Sequence, residues 1–120
     1  MLNPELLRDE GILILQPQGS LQAADFTSLA SVVDPYIQKH GALRGIMVDA
    51  KSFPGWDSFA ALVSHVRFVR DHHRLIGKIA AVSDSPILSA APLLAKHFVK
   101  AEVRHFSAND RAEALAWLRE

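Results

Sequence analysis

The chain has 120 residues, of which 49% are hydrophobic and 22% charged, and this composition predicts one globular domain spanning residues 1–120. Thirteen basic residues balance thirteen acidic ones, which argues against a nucleic-acid partner because no overall positive field attracts phosphates. The absence of cysteine excludes disulfides, thiolate metal sites and cysteine nucleophiles. With no basic and apolar leader and no apolar run near the roughly 20 residues of a membrane span, we expect a cytoplasmic protein.

A hairpin is predicted at the start of the chain. Glu5–Arg8 and Ile12–Pro17 have the composition of two short strands, and Asp9-Glu10-Gly11 between them supplies the residues of a tight turn. Gln18-Gly19-Ser20 then ends the second strand.

A helix is predicted within residues 22–41. Its apolar residues recur at steps of three and four, which places them on one helical face. They are Phe26, Leu29, Ala30, Val33 and Ile37. Pro35 predicts a kink or a restart, because proline lacks the amide hydrogen and crowds the preceding turn. Gly41 predicts a left-handed cap at the end of the helix.

The apolar run of residues 44–53 predicts a central parallel strand that is buried on both faces. A helix follows, and either Asp57 or Ser58 is expected to cap its first turn. The predicted inward stripe of this helix is Phe59, Leu62, Val63, Val66 and Val69.

The last third of the chain alternates strands and helices in the same way. Residues 78–84 and 101–106 predict two strands, and residues 85–98 predict a helix that Pro92 kinks. Its inward residues are predicted to be Leu88, Ala91, Leu94, Ala95 and Phe98. A final helix, capped by Asn109 or Asp110, is expected to bury Ala112, Leu115, Ala116 and Leu118.

The order of elements is β-β-α-β-α-β-α-β-α, which predicts an α/β fold with a mainly parallel five-stranded sheet covered by about four helices. From about Glu5 to Leu118 the chain resembles the SpoIIAA-like (STAS-type) fold, and in particular its stand-alone bacterial branch. The resemblance is carried by GSLQAADF, VDAKSFPGWD, KIAAVSD and AEVRHFSANDRAEALAWL. The pattern of Phe106, Ala114, Trp117 and Leu118 at the end is its most specific part.

The resemblance implies a non-enzymatic regulatory or interaction module. Sporulation regulators of this fold carry a phosphorylatable serine in an Asp-Ser-Ser-Gly motif where this chain has Asp57-Ser58-Phe59-Ala60. Asp57 and Ser58 are therefore candidate switch residues, although the second serine and the glycine are absent. The stand-alone branch implies an apolar ligand, by analogy with lipid-transfer domains.

Two helices carry more apolar surface than one sheet contact requires, since a helix on an open sheet needs an apolar arc only a little over 100° wide. The helices can bury each other, form a homodimer face or line a pocket for an apolar small molecule. For the pocket, the candidate ligand-binding residues are Trp56, Phe59, Val63, Phe68, Ile87 and Leu93.

The turn after the third strand is the candidate rim of such a site. Ligands of open α/β sheets bind beyond the carboxyl ends of the strands, where Asp49, Trp56, Asp57 and Ser58 are expected. The simpler interpretation is that Asp57 or Ser58 caps the helix and that Trp56 packs over the sheet edge.

Other chemistry has less support in the sequence. The six histidines lack the spacing of a metal site, and we expect no cofactor. A hydrolase using Asp49, Ser58 and a histidine remains a third hypothesis, without the Gly-x-Ser-x-Gly turn. The sequence also contains a run of basic residues, Arg67, Arg70, Arg74 and Lys78. We expect them to form a solvated face, and the alternatives are that they contact anionic lipid at a membrane surface or a protein partner.

We therefore predict a binding module. The leading hypothesis places an apolar or lipid-like ligand between the Phe59–Arg70 helix, the Leu88–Phe98 helix and the sheet. The alternative is a STAS-type regulatory module that binds a protein partner, with Ser58 as a phosphorylation switch.

Overall fold

The computed structural model describes all 120 residues. The strands are β1 (Glu5–Leu7), β2 (Ile12–Leu15), β3 (Leu43–Asp49), β4 (Ile76–Val82) and β5 (Glu102–Phe106). The helices are α1 (Ala23–His40), α2 (Phe59–His72), α3 (Pro86–Ser89), α4 (Ala91–Ala95) and α5 (Arg111–Arg119). Short 3₁₀ turns at His73–Leu75 and Ala108–Asp110 follow α2 and precede α5.

The sheet has the order β1-β2-β3-β4-β5. β1 pairs antiparallel with β2, and the other three pairs are parallel. The predicted α/β fold with a mainly parallel five-stranded sheet is therefore confirmed. The helix predicted over residues 85–98 is instead two short helices, which meet at Ala90 just before Pro92.

Alternating side chains divide the strand residues between two faces of the sheet. On one face, Ile12, Met47 and Val82 pack against Trp117 and Leu118 of α5. On the opposite face, strand residues pack against α1: Leu13, Leu15 and Ile46 with Phe26, Leu29 and Val33. A single helix thus covers one face, and α1 to α4 cover the other.

The buried stripe of α1 agrees with the sequence pattern at Phe26, Leu29 and Val33, and the buried part extends to Tyr36. The helix continues through Pro35 without a break, so the restart predicted there is wrong. Ser31, whose carbonyl loses its amide partner to this proline, is exposed and can be hydrated. Gly41 ends the helix at φ 89°, and its amide donates to the Ile37 carbonyl at 2.6 Å.

The predicted inward stripe of α2 is only partly correct, because Leu62 and Val69 are half-buried but its other three residues are exposed. Phe59 and Val66 are exposed, whereas Ala61 and His72 are the buried residues of the helix. Beside the buried His72, one ring nitrogen lies 2.8 Å from the Phe68 carbonyl oxygen and the other lies 2.7 Å from the Asp34 carboxylate, so the ring has a hydrogen-bond acceptor at each nitrogen. The helix has its own apolar residues on most of its circumference, so periodicity alone could not show which side faces α1.

The other two predicted stripes also need correction. In α5, Ala112 and Ala116 are exposed, and the buried residues are Ala114, Trp117 and Leu118. Beyond Pro92, Leu94 and Phe98 are exposed because the chain forms only the five-residue α4 and then turns.

Leu118 fixes α5 on the sheet. Its side chain is fully buried, and a Cβ atom at Gly45 would lie 2.7 Å from Leu118 Cδ2. The absence of a side chain at Gly45 therefore lets α5 approach β3 closely.

Replacing Leu118 by alanine should lower the free energy of unfolding by about 2–5 kcal/mol, because it leaves a cavity in a sealed core. The matched control Leu94→Ala removes the same atoms from an exposed position and should change stability by less than about 0.5 kcal/mol. Urea denaturation of both variants measures the difference, and equal losses would contradict this description of the core.

Candidate functional site

An apolar cavity of about 260 Å³ lies between the sheet and the helices that cover its α1 face. Residues of β2 to β5 form its floor: Leu15, Ile46, Val48, Ile79, Ala81 and Val103. No Asp, Glu, Lys or Arg lines it, and its two ionisable residues are His65 and His73. The cavity therefore offers an apolar interior with very few polar groups, as small-molecule sites do.

The walls of the cavity come from four helices. α1 contributes Phe26 and Leu29, α2 contributes His65, Phe68 and Val69, and α3 and α4 contribute Leu88 and Ala91. The break between α3 and α4 turns the rest of that segment away, so only these two side chains cover this side of the cavity.

The end of the cavity lies at the carboxyl ends of β2 and β3, where ligands of open α/β sheets bind. Pro17, Phe53 and Pro54 border both the cavity and a polar depression of about 660 Å³. This loop pair therefore separates the apolar interior from solvent.

The turn after β3 holds its tryptophan in place through backbone pairing. Gly55 adopts φ 73°, and its carbonyl accepts from the Leu21 amide at 2.8 Å. The Asp57 amide donates back to the Leu21 carbonyl at 2.9 Å. Trp56 lies between these two bonds, with its ring edge-on to Phe53 at 5.1 Å.

His65 is the polar residue that this arrangement orients most firmly. Trp56 Nε1 donates to His65 Nδ1 at 3.1 Å, and the imidazole stacks on Phe26 at 4.7 Å. Because an indole nitrogen only donates, Nδ1 carries no proton and the neutral ring is protonated at Nε2. Burial lowers the pKa of His65 below its ordinary value, because it disfavours the charged ring.

The second histidine of the cavity has the same tautomer. His73 Nδ1 accepts from the Lys100 amide at 2.9 Å, so its proton is also on Nε2. This bond ties the end of α2 to the segment between α4 and β5.

The structure brings one of the six candidate ligand-binding residues, Phe68, to the cavity wall. Trp56 lies behind the wall, bonded to His65. The other four lie outside the lining and are exposed: Phe59, Val63, Ile87 and Leu93.

The candidate switch residues lie at the start of α2. The Ser58 hydroxyl accepts from the Ala61 amide at 3.1 Å, so Ser58 is the cap of this helix. Asp57 is exposed beside it.

The three groups of the hydrolase hypothesis are engaged separately. The Asp49 carboxylate accepts from Gln16 at 3.3 Å and from Arg111 at 3.1 Å. Ser58 Oγ bonds within its own helix, and His65 Nδ1 bonds to Trp56. The structure does not join a serine, a histidine and a carboxylate in one hydrogen-bonded set.

Sequence reasoning placed Leu88 and Ala91 correctly toward the interior, but it did not name His65 or the strand residues as part of the cavity. His65 lies one turn before Phe68 on the same side of α2, and it is nine residues after a tryptophan, which can only donate. Its place on the same face as Phe68 was a usable signal, whereas its pairing with Trp56 depends on the conformation of the turn after β3.

Two general features complete the description. No group of three or more His, Cys, Asp or Glu side chains is arranged to hold a metal ion. None of the helices has both the length and the apolar character required to cross a bilayer.

Comparisons with known proteins identify one family. The sequence model of the SpoIIAA-like family matches residues 12–119. The fold is similar to the crystal structure of an uncharacterised protein with a SpoIIAA-like fold from Shewanella loihica, with a TM-score of 0.71 and 18% sequence identity. The similarity covers 98% of this chain and 92% of that one, and at this identity it shows the fold alone. No curated protein matches the chain.

The lowered pKa of His65 should make stability depend on pH. The unfolded chain takes up this proton near the ordinary pKa of about 6.5, whereas the folded chain resists it. The contribution to stability is complete above that pH and decreases as the pH falls toward the lower folded-state pKa. His65→Gln keeps an acceptor for Trp56 but cannot titrate, so its unfolding free energy should fall less between pH 7.5 and 5.

Urea titrations at several pH values measure these slopes. The control is His97→Gln, because His97 is exposed, and it should keep the wild-type dependence. A slope that is unchanged in His65→Gln would contradict the buried neutral imidazole.

Proposed function

Because the chain belongs to the SpoIIAA-like family, a fold used by regulatory and binding modules, we propose that it is a non-enzymatic binding module for a small apolar molecule. The ligand occupies the cavity between the sheet, α1, α2 and the paired helices α3 and α4. The observation that carries this proposal is a cavity of about 260 Å³ whose lining contains no Asp, Glu, Lys or Arg.

Packing supports a ligand here because protein interiors contain few voids larger than one water molecule. An apolar cavity of about 150 Å³ stays dry and binds benzene. Benzene has six non-hydrogen atoms, so in the same proportion of atoms to volume a cavity of about 260 Å³ holds about ten non-hydrogen atoms. The site is therefore suited to a compact apolar molecule rather than to a long lipid chain held entirely inside.

The place of the proposed ligand differs in detail from the exposed side chains that the sequence favoured. Phe68 and Leu88 contribute from the two helices, while Phe59 and Leu93 point away from the site. The sheet contributes as much of the lining as the helices, through residues such as Ile79 and Val103.

A probe of the expected size should stabilise the protein by mass action. Isopropylbenzene, which has nine non-hydrogen atoms, should raise the melting temperature of the wild type in a concentration-dependent way. Ala91→Leu should abolish this rise, because the larger side chain enters the cavity from α4. Ala95→Leu is the matched control in the same helix, since Ala95 is outside the lining, and it should retain the rise.

Differential scanning calorimetry measures the shift, and mass spectrometry of an organic extract identifies any apolar molecule that copurifies. The absence of both a probe-dependent shift and an extracted molecule contradicts the proposal. A shift that persists in Ala91→Leu would place the binding elsewhere.

A second candidate function is a STAS-type regulatory module that binds a protein partner. It is favoured by the exposed aromatic side chains Phe59 and Phe98, which are 78% and 79% accessible, because large apolar side chains at a surface are typical of interaction sites. Ser58, next to Phe59, is exposed at the N-terminus of α2. A phosphate there would add negative charge where the helix dipole favours it.

Under this alternative, Ser58 is phosphorylated in the native cells, and peptide mass spectrometry of the purified protein detects the modification. Ser58→Ala should also lose about 1 kcal/mol of stability because the cap is removed, whereas Ser58→Asp should retain most of it. A partner whose binding differs between Ser58→Asp and wild type would support the switch. Unmodified Ser58 under conditions in which the partner binds and dissociates would contradict it.

A further inference from the structure

We propose that the ligand is a neutral molecule with one hydrogen-bond acceptor, a ketone, ester or amide oxygen, which accepts from His65 Nε2. This inference rests on the proposed function and specifies its ligand. It follows from the state of the imidazole and from the absence of charge in the cavity.

The imidazole has one free donor. Its Nδ1 is occupied by Trp56 Nε1 at 3.1 Å, which leaves the proton on Nε2. No protein atom pairs with Nε2, and this nitrogen is not sealed inside the protein. His65 lines the cavity, and under the proposal its Nε2–H group donates to an oxygen atom of a bound molecule.

The ring is held in place before any ligand binds. It stacks on Phe26 with a centroid distance of 4.7 Å and an interplanar angle of 16°, and Trp56 bonds to one of its edges. Trp56 is itself held by the backbone bonds of Leu21 with Gly55 and Asp57. A donor that is already oriented loses little freedom when it binds an acceptor.

An anionic ligand is disfavoured in the same cavity. A buried carboxylate requires a charged partner, and the lining contains no Lys or Arg. Both histidines of the lining are neutral, because each Nδ1 accepts a hydrogen bond from an N–H group, one from Trp56 and the other from Lys100. The cavity therefore distinguishes a neutral carbonyl compound from the corresponding acid.

Three compounds of nearly the same shape and size test this specificity: isopropylbenzene, acetophenone and benzoate. Each is a phenyl ring with one three-atom substituent. In isopropylbenzene the substituent carries two methyl groups, in acetophenone one methyl group and one acceptor oxygen, and in benzoate it is a carboxylate. Dissociation constants at pH 8 are measured by titration calorimetry on the wild-type protein. Acetophenone should bind at least about tenfold more tightly than benzoate, a difference of about 1.4 kcal/mol.

His65→Phe isolates the hydrogen bond, because it keeps an aromatic ring against Phe26 and removes the donor. The ratio of the dissociation constants of isopropylbenzene and acetophenone should fall by about tenfold in this variant. Since Trp56 Nε1 loses its acceptor there, the double variant Trp56→Phe with His65→Phe is the second test. It removes both partners of the bond and should show the same fall.

The outcomes separate the two proposals. Binding of none of the three compounds overturns the proposed function and this inference with it. Binding of isopropylbenzene while the ratio is unchanged in both variants keeps the apolar site and overturns the role of His65. Benzoate binding as tightly as acetophenone overturns the preference for a neutral ligand. His73→Phe is measured in the same way, and if the ratio of the two dissociation constants falls only in that variant, the donor is His73 and the assignment to His65 is wrong.

Discussion

The alternation of side chains along the parallel strands is the constraint on which the whole molecule depends. It sends Ile12, Met47 and Val82 to one face and Leu13, Leu15 and Ile46 to the other, so each strand serves two separate cores. The two faces receive different covers. One is closed by α5 at short distance, where Leu118 meets Gly45, and the other is covered by helices that leave a cavity.

The difference between the covers explains why one face is structural and the other is a candidate site. α5 is one helix with three buried residues that match the sheet below it. On the opposite face, α1 packs tightly through Phe26, Leu29 and Val33, but α2 contributes histidines and α3 and α4 contribute few inward side chains. His65 can be tolerated there because Trp56 donates to its Nδ1 and Phe26 stacks on its ring.

The sequence was sufficient to predict the succession of strands and helices along the chain and a mainly parallel sheet, because its apolar runs are short and regularly separated by helical patterns. A cap of α2 at Asp57 or Ser58 and most of the buried stripe of α1 were predictable for the same local reason. Which face of α2 is buried was not predictable, since Phe59, Val63 and Val66 give the helix apolar residues on the side that faces solvent. The cavity depends on packing between distant elements and on the break at Ala90, which no local pattern contains.

The construction of the cover over the cavity has a consequence for exchange kinetics. α3 and α4 have four and five residues, and neither has a side-chain cap, so they depend on packing against the rest of the domain more than a long helix does. Segments of this kind open locally at a much smaller free-energy cost than unfolding of the whole domain. Under the proposed function, a guest molecule would enter and leave through transient fraying of this short double turn, while the hydrogen bonds between the strands stay intact and their amide protons remain protected.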